Sequence, residues 1–360
     1  MGESHGIGIV GLGVISGAYL DTFARHPELR VVAVADLNEA RASEVAATTG
    51  ALALSVDDLI AHPEVQTVLN LTIPAAHADI ALRAIEAGVD VYGEKPLAST
   101  FDDAVRVMSA ATAAGVAVGC APDTVLGTGT QTARGVVDSG ALGTPLFATA
   151  TMITRGHEAW HPNPDFYYRD GGGPLLDMGP YYVSALVHLL GPAVSVTGRS
   201  SRLRDTRTIA SGPRAGEQIP VEVETHVTGV IEHASGALST LTTSFDGIAT
   251  TAVPIEIHGT DGSMVVPDPN NFSGDVLVRG RDAPEWELVA PSHGFVDGSR
   301  GVGLLDFVQT PRGEASRASG AFGLHVLEIM TTLLRSAEEG RTIPLTTTIE
   351  RPPIVPLGSP

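Results

Sequence analysis

An α/β chain of two parts is predicted: an N-terminal doubly wound parallel sheet, followed by an α/β domain built on a large open, mostly antiparallel sheet. Three observations predict it. Strand-like apolar runs alternate with helix-like segments over the first third of the chain. A glycine-rich turn joins the first of these strands to the first helix. After about residue 125 longer segments with period-two alternation take over. A length of 360 residues also exceeds what one hydrophobic core usually organises. The boundary is placed near Pro122, giving residues 1–122 and 123–360.

Taken in order, GIGIVGLG at 6–13 is a β-rich run ending in glycines, and VISGAYLDTFARH has helical spacing. VVAVAD at 31–36 reads as a second strand, and LNEARASEVAATTG as a helix closed by Gly50. The alternation continues through TVLNLTIP, HADIALRAIEAG, VDVYGEKP, FDDAVRVMSAATAAG and VAVGCAP. Beyond the boundary, TGTQTARGVVDSG is a helix candidate, while VEVETHVTGVIEH and ALSTLTTSFD alternate as strands. SGPRAGEQIP at 211–220 and PDPNNFSGD at 267–275 read as loops or turns. GGGPLLDMGPYYVSALVHLLGP at 171–192 has the apolar spacing of a buried helix, yet three glycines open it and Pro180 lies inside it. Pro180 deprives a carbonyl near Leu176 of its helical donor, which predicts a local bend.

Composition narrows the function. Hydrophobic residues make up 43% and charged residues 18%, with no apolar run near the roughly 20 residues of a membrane span, so a soluble globular protein is expected. A net charge of -19 argues against tracking a phosphate backbone, so neither nucleic acid nor membrane is an expected partner. The N-terminus has Glu3 where a signal peptide would carry lysine or arginine, and no targeting segment is read there. Cys120 is the only cysteine, which excludes an intramolecular disulfide and a cysteine-based metal cluster and fits a reducing cytoplasm. Of the 22 lysine and arginine residues, 21 are arginine and Lys95 is the one lysine. Unlike arginine, lysine can change protonation state.

The first motif is Gly11-Leu12-Gly13-Val14-Ile15-Ser16, where a Rossmann dinucleotide-binding fold has G-x-G-x-x-G. It follows a strand, opens a helix, and precedes Asp36 at the end of the next strand. Gly11 permits the tight turn, Gly13 lets the backbone approach a pyrophosphate, and Ser16 stands for the third glycine where helix and strand pack closely. Asp36 would accept hydrogen bonds from the adenosine ribose and repel a 2′-phosphate. The expected cofactor is therefore NAD, in preference to NADP, with Val14 and Ile15 completing the turn around it.

The second motif, Val91-Tyr92-Gly93-Glu94-Lys95-Pro96-Leu97, places the sole lysine at the carboxyl end of a predicted parallel strand, the edge on which open α/β sheets bind ligands. Thr72, Pro74 and His77 follow the preceding strand end in the same way, and are expected to touch the reacting end of the cofactor. GLGVIS, Glu94-Lys95-Pro96 and GGGPLLDMGPYY fall in an order and spacing that resembles the Gfo/Idh/MocA oxidoreductases over essentially the whole chain. The resemblance implies an N-terminal Rossmann domain, a C-terminal domain with a large open sheet through which subunits pair as homodimers or homotetramers, and hydride transfer between nicotinamide and a sugar or polyol carbinol. It also implies that Lys95 touches substrate and nicotinamide, with Glu94 beside it. The family's D-x-G-x-H motif carries to Asp177 and, at its last position, to Tyr181, where this chain has tyrosine instead of histidine.

Chemistry supports the same three residues. Oxidising an alcohol requires a group that removes the hydroxyl proton, and the reverse reaction requires that group as an acid. A phenol ordinarily ionises near pH 10, so Tyr181 needs a neighbouring cation to act near neutrality, and Lys95 is the only ammonium side chain. Asp177 and Tyr181 are four residues apart and share a helix face if Pro174 opens the helix. The competing reading has Asp177 capping a helix that begins at Pro180, with Tyr181 in the core.

Residues 155–169 crowd aromatic and polar groups into a loop whose prolines forbid a continuous helix. Trp160, His161 and Tyr168 are substrate-side candidates, and Arg155 could meet an anionic substituent. His157 and His161 lack an evident third ligand, so no metal is expected. His188 reads as a core histidine; His325 is a core or substrate-side residue. The expectation is an NAD-dependent dehydrogenase of a sugar, polyol or glycoside. The alternatives are a redox-neutral, NAD-dependent glycosidase and a non-catalytic NAD/sugar sensor.

Overall fold

The computed structural model describes residues 4–358. Glu3, which argued against a leader segment, lies outside them. Two compact units divide the chain: one takes the residues up to Asp123 together with Asp297–Leu324, the other Thr124–Val296 and the residues from His325 onward.

In the first unit, strands β1 (His5–Val10), β2 (Leu29–Ala35), β3 (Leu52–Ala53), β4 (Thr67–Asn70), β5 (Asp90–Gly93) and β6 (Val118–Cys120) alternate with helices α1 (Ser16–Phe23), α2 (Glu39–Thr49), α3 (Val56–Ile60), α4 (Pro74–Glu86) and α5 (Phe101–Ala114). Every pairing is parallel and the order is β3-β2-β1-β4-β5-β6. The direction of winding reverses between β1 and β4, which opens a ligand crevice beyond their carboxyl ends. Local chemistry sets the helix limits. The Asn38 side chain accepts the Arg41 N–H at the start of α2, and Gly50 closes it in the left-handed region. Thr100 and Gly115 do the same for α5.

Residues 297–324 were expected in the C-terminal domain, and the structure places them with the first unit. The reason is apolar: Leu304, Leu305 and Phe307 of α8 (Val302–Gln309) join the core that contains Ile7, Ile9 and Tyr92. Buried Asp123 fixes the entrance of α8 by accepting the Gly301 and Gly303 N–H groups at 2.7 and 3.2 Å.

The second unit contains α6 (Thr128–Asp138), β7 (Pro145–Ile153), α7 (Gly173–Leu190), β8 (Ala193–Ser201), β9 (Thr206–Thr208), β10 (Gln218–Pro220), β11 (His226–His233) and β12 (Leu238–Ser244). It continues with β13 (Ile255–Gly259), β14 (Gly262–Val266), β15 (Val276–Gly280), β16 (Glu287–Val289), most of α9 (Gly320–Glu339), and β17 (Ile343–Pro344). Nine strands form one sheet in the order β16-β15-β14-β13-β7-β12-β11-β8-β17. Only β7 and β12 pair in parallel; the other neighbours are antiparallel, as the alternation predicted. Helix α7 packs against β7, β11 and β12, and period two sends the alternate residues to the other face.

Two local readings change. Gln218–Pro220, expected within a loop, pairs with Thr206–Thr208 because Ile219 buries itself between exposed neighbours. Residues 221–225, expected to begin a strand, instead send the Glu222 N–H to the Tyr168 carbonyl, so β11 begins at His226. Among the described residues, no helix is long and apolar enough to cross a membrane.

Candidate active site

The glycine turn of the first unit has the form a dinucleotide requires. Gly11 has φ +92°, and a Cβ there would sit 2.8 Å from the Leu71 backbone, so no other residue fits without displacement. A Cβ on Gly13 would meet nothing within 4 Å, leaving its outward side open, and Val14 beside it is exposed. Ser16 is buried and donates its hydroxyl to the Gly13 carbonyl at 2.7 Å. Asp36 is oriented by the same turn: Oδ2 accepts the Leu12 N–H and Oδ1 the Asn38 N–H, each at 2.7 Å. A carboxylate has about four acceptor positions, so these bonds leave it able to receive ribose hydroxyls. The residues present fit an NAD site.

At the ends of β4 and β5, the structure shows supports that the sequence did not reveal. Buried Asn70 accepts the Thr72 N–H and hydroxyl on Oδ1 and donates Nδ2 to the His77 carbonyl. His77, expected to touch the cofactor, is buried with Nδ1 2.7 Å from the Pro96 carbonyl and Nε2 3.0 Å from that of Thr72. Burial holds its pKa below the ordinary imidazole value, against the pull of those carbonyls. Both ring nitrogens face backbone, so His77 braces the turn and the Lys95-Pro96 segment. Glu94 is likewise a support: it accepts the Tyr19 hydroxyl at 2.8 Å and the Lys95 N–H at 3.1 Å. Lys95 itself is partly exposed just beyond β5.

In the second unit, α7 begins at Gly173 and runs unbroken through Pro180, with Pro174 in its first turn. A helix beginning at Pro180 is thereby ruled out. Asp177 and Tyr181 stand one turn apart, the first partly exposed and the second 6% exposed. The opening glycines serve backbone geometry and packing: Gly171 and Gly173 have φ of +81° and +85°, and a Cβ on Gly172 would lie 2.6 Å from the Phe166 carbonyl oxygen.

The loop before α7 forms two short turns, His157–Ala159 and Asp165–Tyr168. Trp160 is 59% exposed, Arg155 is exposed and His161 is half-buried, so all three can be reached. The substrate-side expectation for Tyr168 is corrected, and of the two readings of His325 the core one holds. Tyr168 is fully buried and donates its hydroxyl to Glu158, within a network in which Arg207 pairs with Glu158 and Asp246. His325 is fully buried, with Nε2 accepting the Ala193 N–H at 3.0 Å and Nδ1 2.8 Å from the Thr347 hydroxyl; burial lowers its pKa to about 4. His188 is a core residue whose pKa burial lowers to about 3. The loop supplies an unforeseen partner instead: His157 Nε2 lies 2.8 Å from Asp177 Oδ2. Among the described residues, no group of three or more histidine, cysteine, aspartate or glutamate side chains is placed to hold a metal.

Comparison with known proteins adds independent findings. Residues 5–121 match the family model described as "Oxidoreductase family, NAD-binding Rossmann fold", and residues 130–265 match that of the GFO/IDH/MocA C-terminal domain. Inositol 2-dehydrogenase 3 of Saccharopolyspora erythraea is 35% identical over 147 residues, covering 39% of this chain and 43% of that protein. Inositol 2-dehydrogenase of Ralstonia nicotianae is 35% identical over 240 residues, covering 60% of this chain and 66% of that protein. The matches thus span from under half to about two thirds of these relatives. Among solved structures, levoglucosan dehydrogenase in complex with NADH and levoglucosan superposes with a TM-score of 0.82 at 21% identity, over 96% of this chain and all of that one. At that identity the likeness is one of fold.

Proposed function

Since the chain belongs to the GFO/IDH/MocA oxidoreductase family and carries its NAD-binding Rossmann domain, we propose that it is an NAD-dependent oxidoreductase acting on a secondary alcohol or lactol carbon of a sugar, polyol or glycoside. The observation that carries this reading is the sole lysine of the chain, at the carboxyl end of β5 on the ligand-binding edge of that domain. The names of the relatives support the substrate class: inositol is a polyol, and levoglucosan an anhydro sugar.

Bound NAD supplies the hydride acceptor for the carbinol carbon, and NADH the donor in the reverse direction. Gly11, Gly13, Val14 and Ile15 would hold the pyrophosphate, Asp36 the adenosine ribose, and Thr72 and Pro74 the approach to the reacting end. Lys95 orients the substrate hydroxyl. Tyr181 takes the hydroxyl proton during oxidation and returns it during reduction. Asp177, one turn earlier on α7, accepts a hydrogen bond from the substrate. Trp160 and His161 offer a stacking face and a polar edge to a sugar ring. The outer face of the nine-stranded sheet, where Phe147, Val230 and Leu238 are exposed among threonines, supports subunit pairing.

Tyr181→Phe keeps the ring in its buried position and removes the proton-transfer group. It is expected to lower kcat about 10²- to 10⁴-fold while leaving NADH binding intact. Turnover within a factor of two of the unmodified enzyme would move the acid/base role to Lys95.

A further inference from the structure

We propose that His157 is a positioning residue for Asp177, held as the neutral tautomer with its proton on Nε2. The proposal rests on the dehydrogenase reading, because it assigns the Asp177 carboxylate a part in turnover.

The chain of bonds sets the tautomer. Trp160 Nε1 lies 3.3 Å from His157 Nδ1. An indole N–H only donates, so Nδ1 accepts and the single proton of a neutral imidazole sits on Nε2. Nε2 in turn lies 2.8 Å from Asp177 Oδ2, so it donates to a carboxylate that acts as acceptor. The ring cannot turn away, because Tyr167 and Phe245 pack on it with centroids at 4.3 and 4.6 Å. Side-chain exposures of 11% for His157 and 17% for Asp177 keep most water from the bond, which strengthens it.

The backbone is fixed as firmly. Glu158, the next residue, pairs with buried Arg207 at 3.0 Å, and its carbonyl accepts the Ala210 N–H at 2.8 Å. Asp177 is therefore oriented from a loop clamped within the same unit. Its rotamer is set before substrate arrives, and a substrate hydroxyl meets an acceptor already aimed. Trp160, 59% exposed at the other end of the chain of bonds, couples the surface of the loop to the carboxylate.

Steady-state kinetics of the full-length enzyme with NAD and a sugar that it oxidises test the idea. His157→Phe should lower kcat on the order of 10- to 100-fold with KM, NADH affinity and Tm close to the parent. His157→Gln, which restores an N–H donor, should recover most of the loss. The double variant with Asp177→Asn should be no worse than Asp177→Asn alone. Parental kcat in His157→Phe while Asp177→Asn is inactive, or no recovery in a folded His157→Gln, overturns the proposal. Parental turnover in Asp177→Asn removes both the proposal and the role given to Asp177. A readout independent of turnover is the histidine ¹⁵N spectrum, with His157 identified by its loss in the variants. A bare Nδ1 and protonated Nε2 are expected, and the opposite tautomer or an imidazolium at neutral pH overturns the inference even if the enzyme oxidises sugars.

Discussion

In the proposed NAD site, Asp36 is the side chain that serves both structure and specificity. Its two oxygens hold the Leu12 and Asn38 N–H groups, and the proposal gives the same carboxylate the adenosine ribose. Asp36→Ala removes those charged acceptors and the repulsion of a 2′-phosphate together. NAD affinity should fall about 10- to 100-fold, and NADP should gain relative to NAD, as read by titrating each cofactor. Unchanged discrimination would place cofactor choice elsewhere. Gly11 and Asp36 were legible in the sequence because turn geometry restricts which residue fits. Tyr19 with Glu94, His157 with Asp177, and Tyr168 with Glu158 were not, since each pair depends on tertiary contact and has no signature in spacing. The same gap misassigned Tyr168 and left His325 open between core and substrate: an aromatic or a histidine near a motif looks alike whether it faces ligand or core.

Among the elements, α9 is tied to the segment that follows it by a buried charge. Glu328 is 3% exposed and accepts the Thr346 and Thr347 N–H groups at 2.7 and 2.8 Å, together with both threonine hydroxyls. Burial alone would raise its pKa, but these four donors more than offset it, and the group lies below the ordinary carboxylate value. A depressed folded-state pKa stabilises the protein above the unfolded value of about 4.3 and ceases to do so as pH falls through the folded value. Glu328→Gln should therefore cost about 1–3 kcal/mol near neutrality. The difference from the parent should shrink below about pH 4 in denaturant midpoints; a pH-independent gap would contradict the assignment. Period and capping made most elements readable. What they could not show was that residues 221–225 bond to a loop, or that the catalytic-motif helix absorbs Pro180 without interruption.

For the whole molecule, the parallel sheet followed from the alternation of strands and helices, whereas the return of residues 297–324 to the first unit did not, because an apolar helix does not announce which core it joins. The outer sheet face gives the assembly prediction. Phe147→Glu or Val230→Glu places charge on that face, and light scattering should show the parent as a dimer or tetramer and the variants dissociated; a monomeric parent would remove the proposal. The most direct measurement of the proposed hydride transfer follows nicotinamide absorbance while the enzyme meets NAD and a panel of sugars, polyols and glycosides. Stoichiometric NADH is expected with at least one of them, lost by about 10³-fold or more in Lys95→Ala although NADH still binds. Undiminished NADH formation in Lys95→Ala, or none from the parent with any member of the panel, would contradict it.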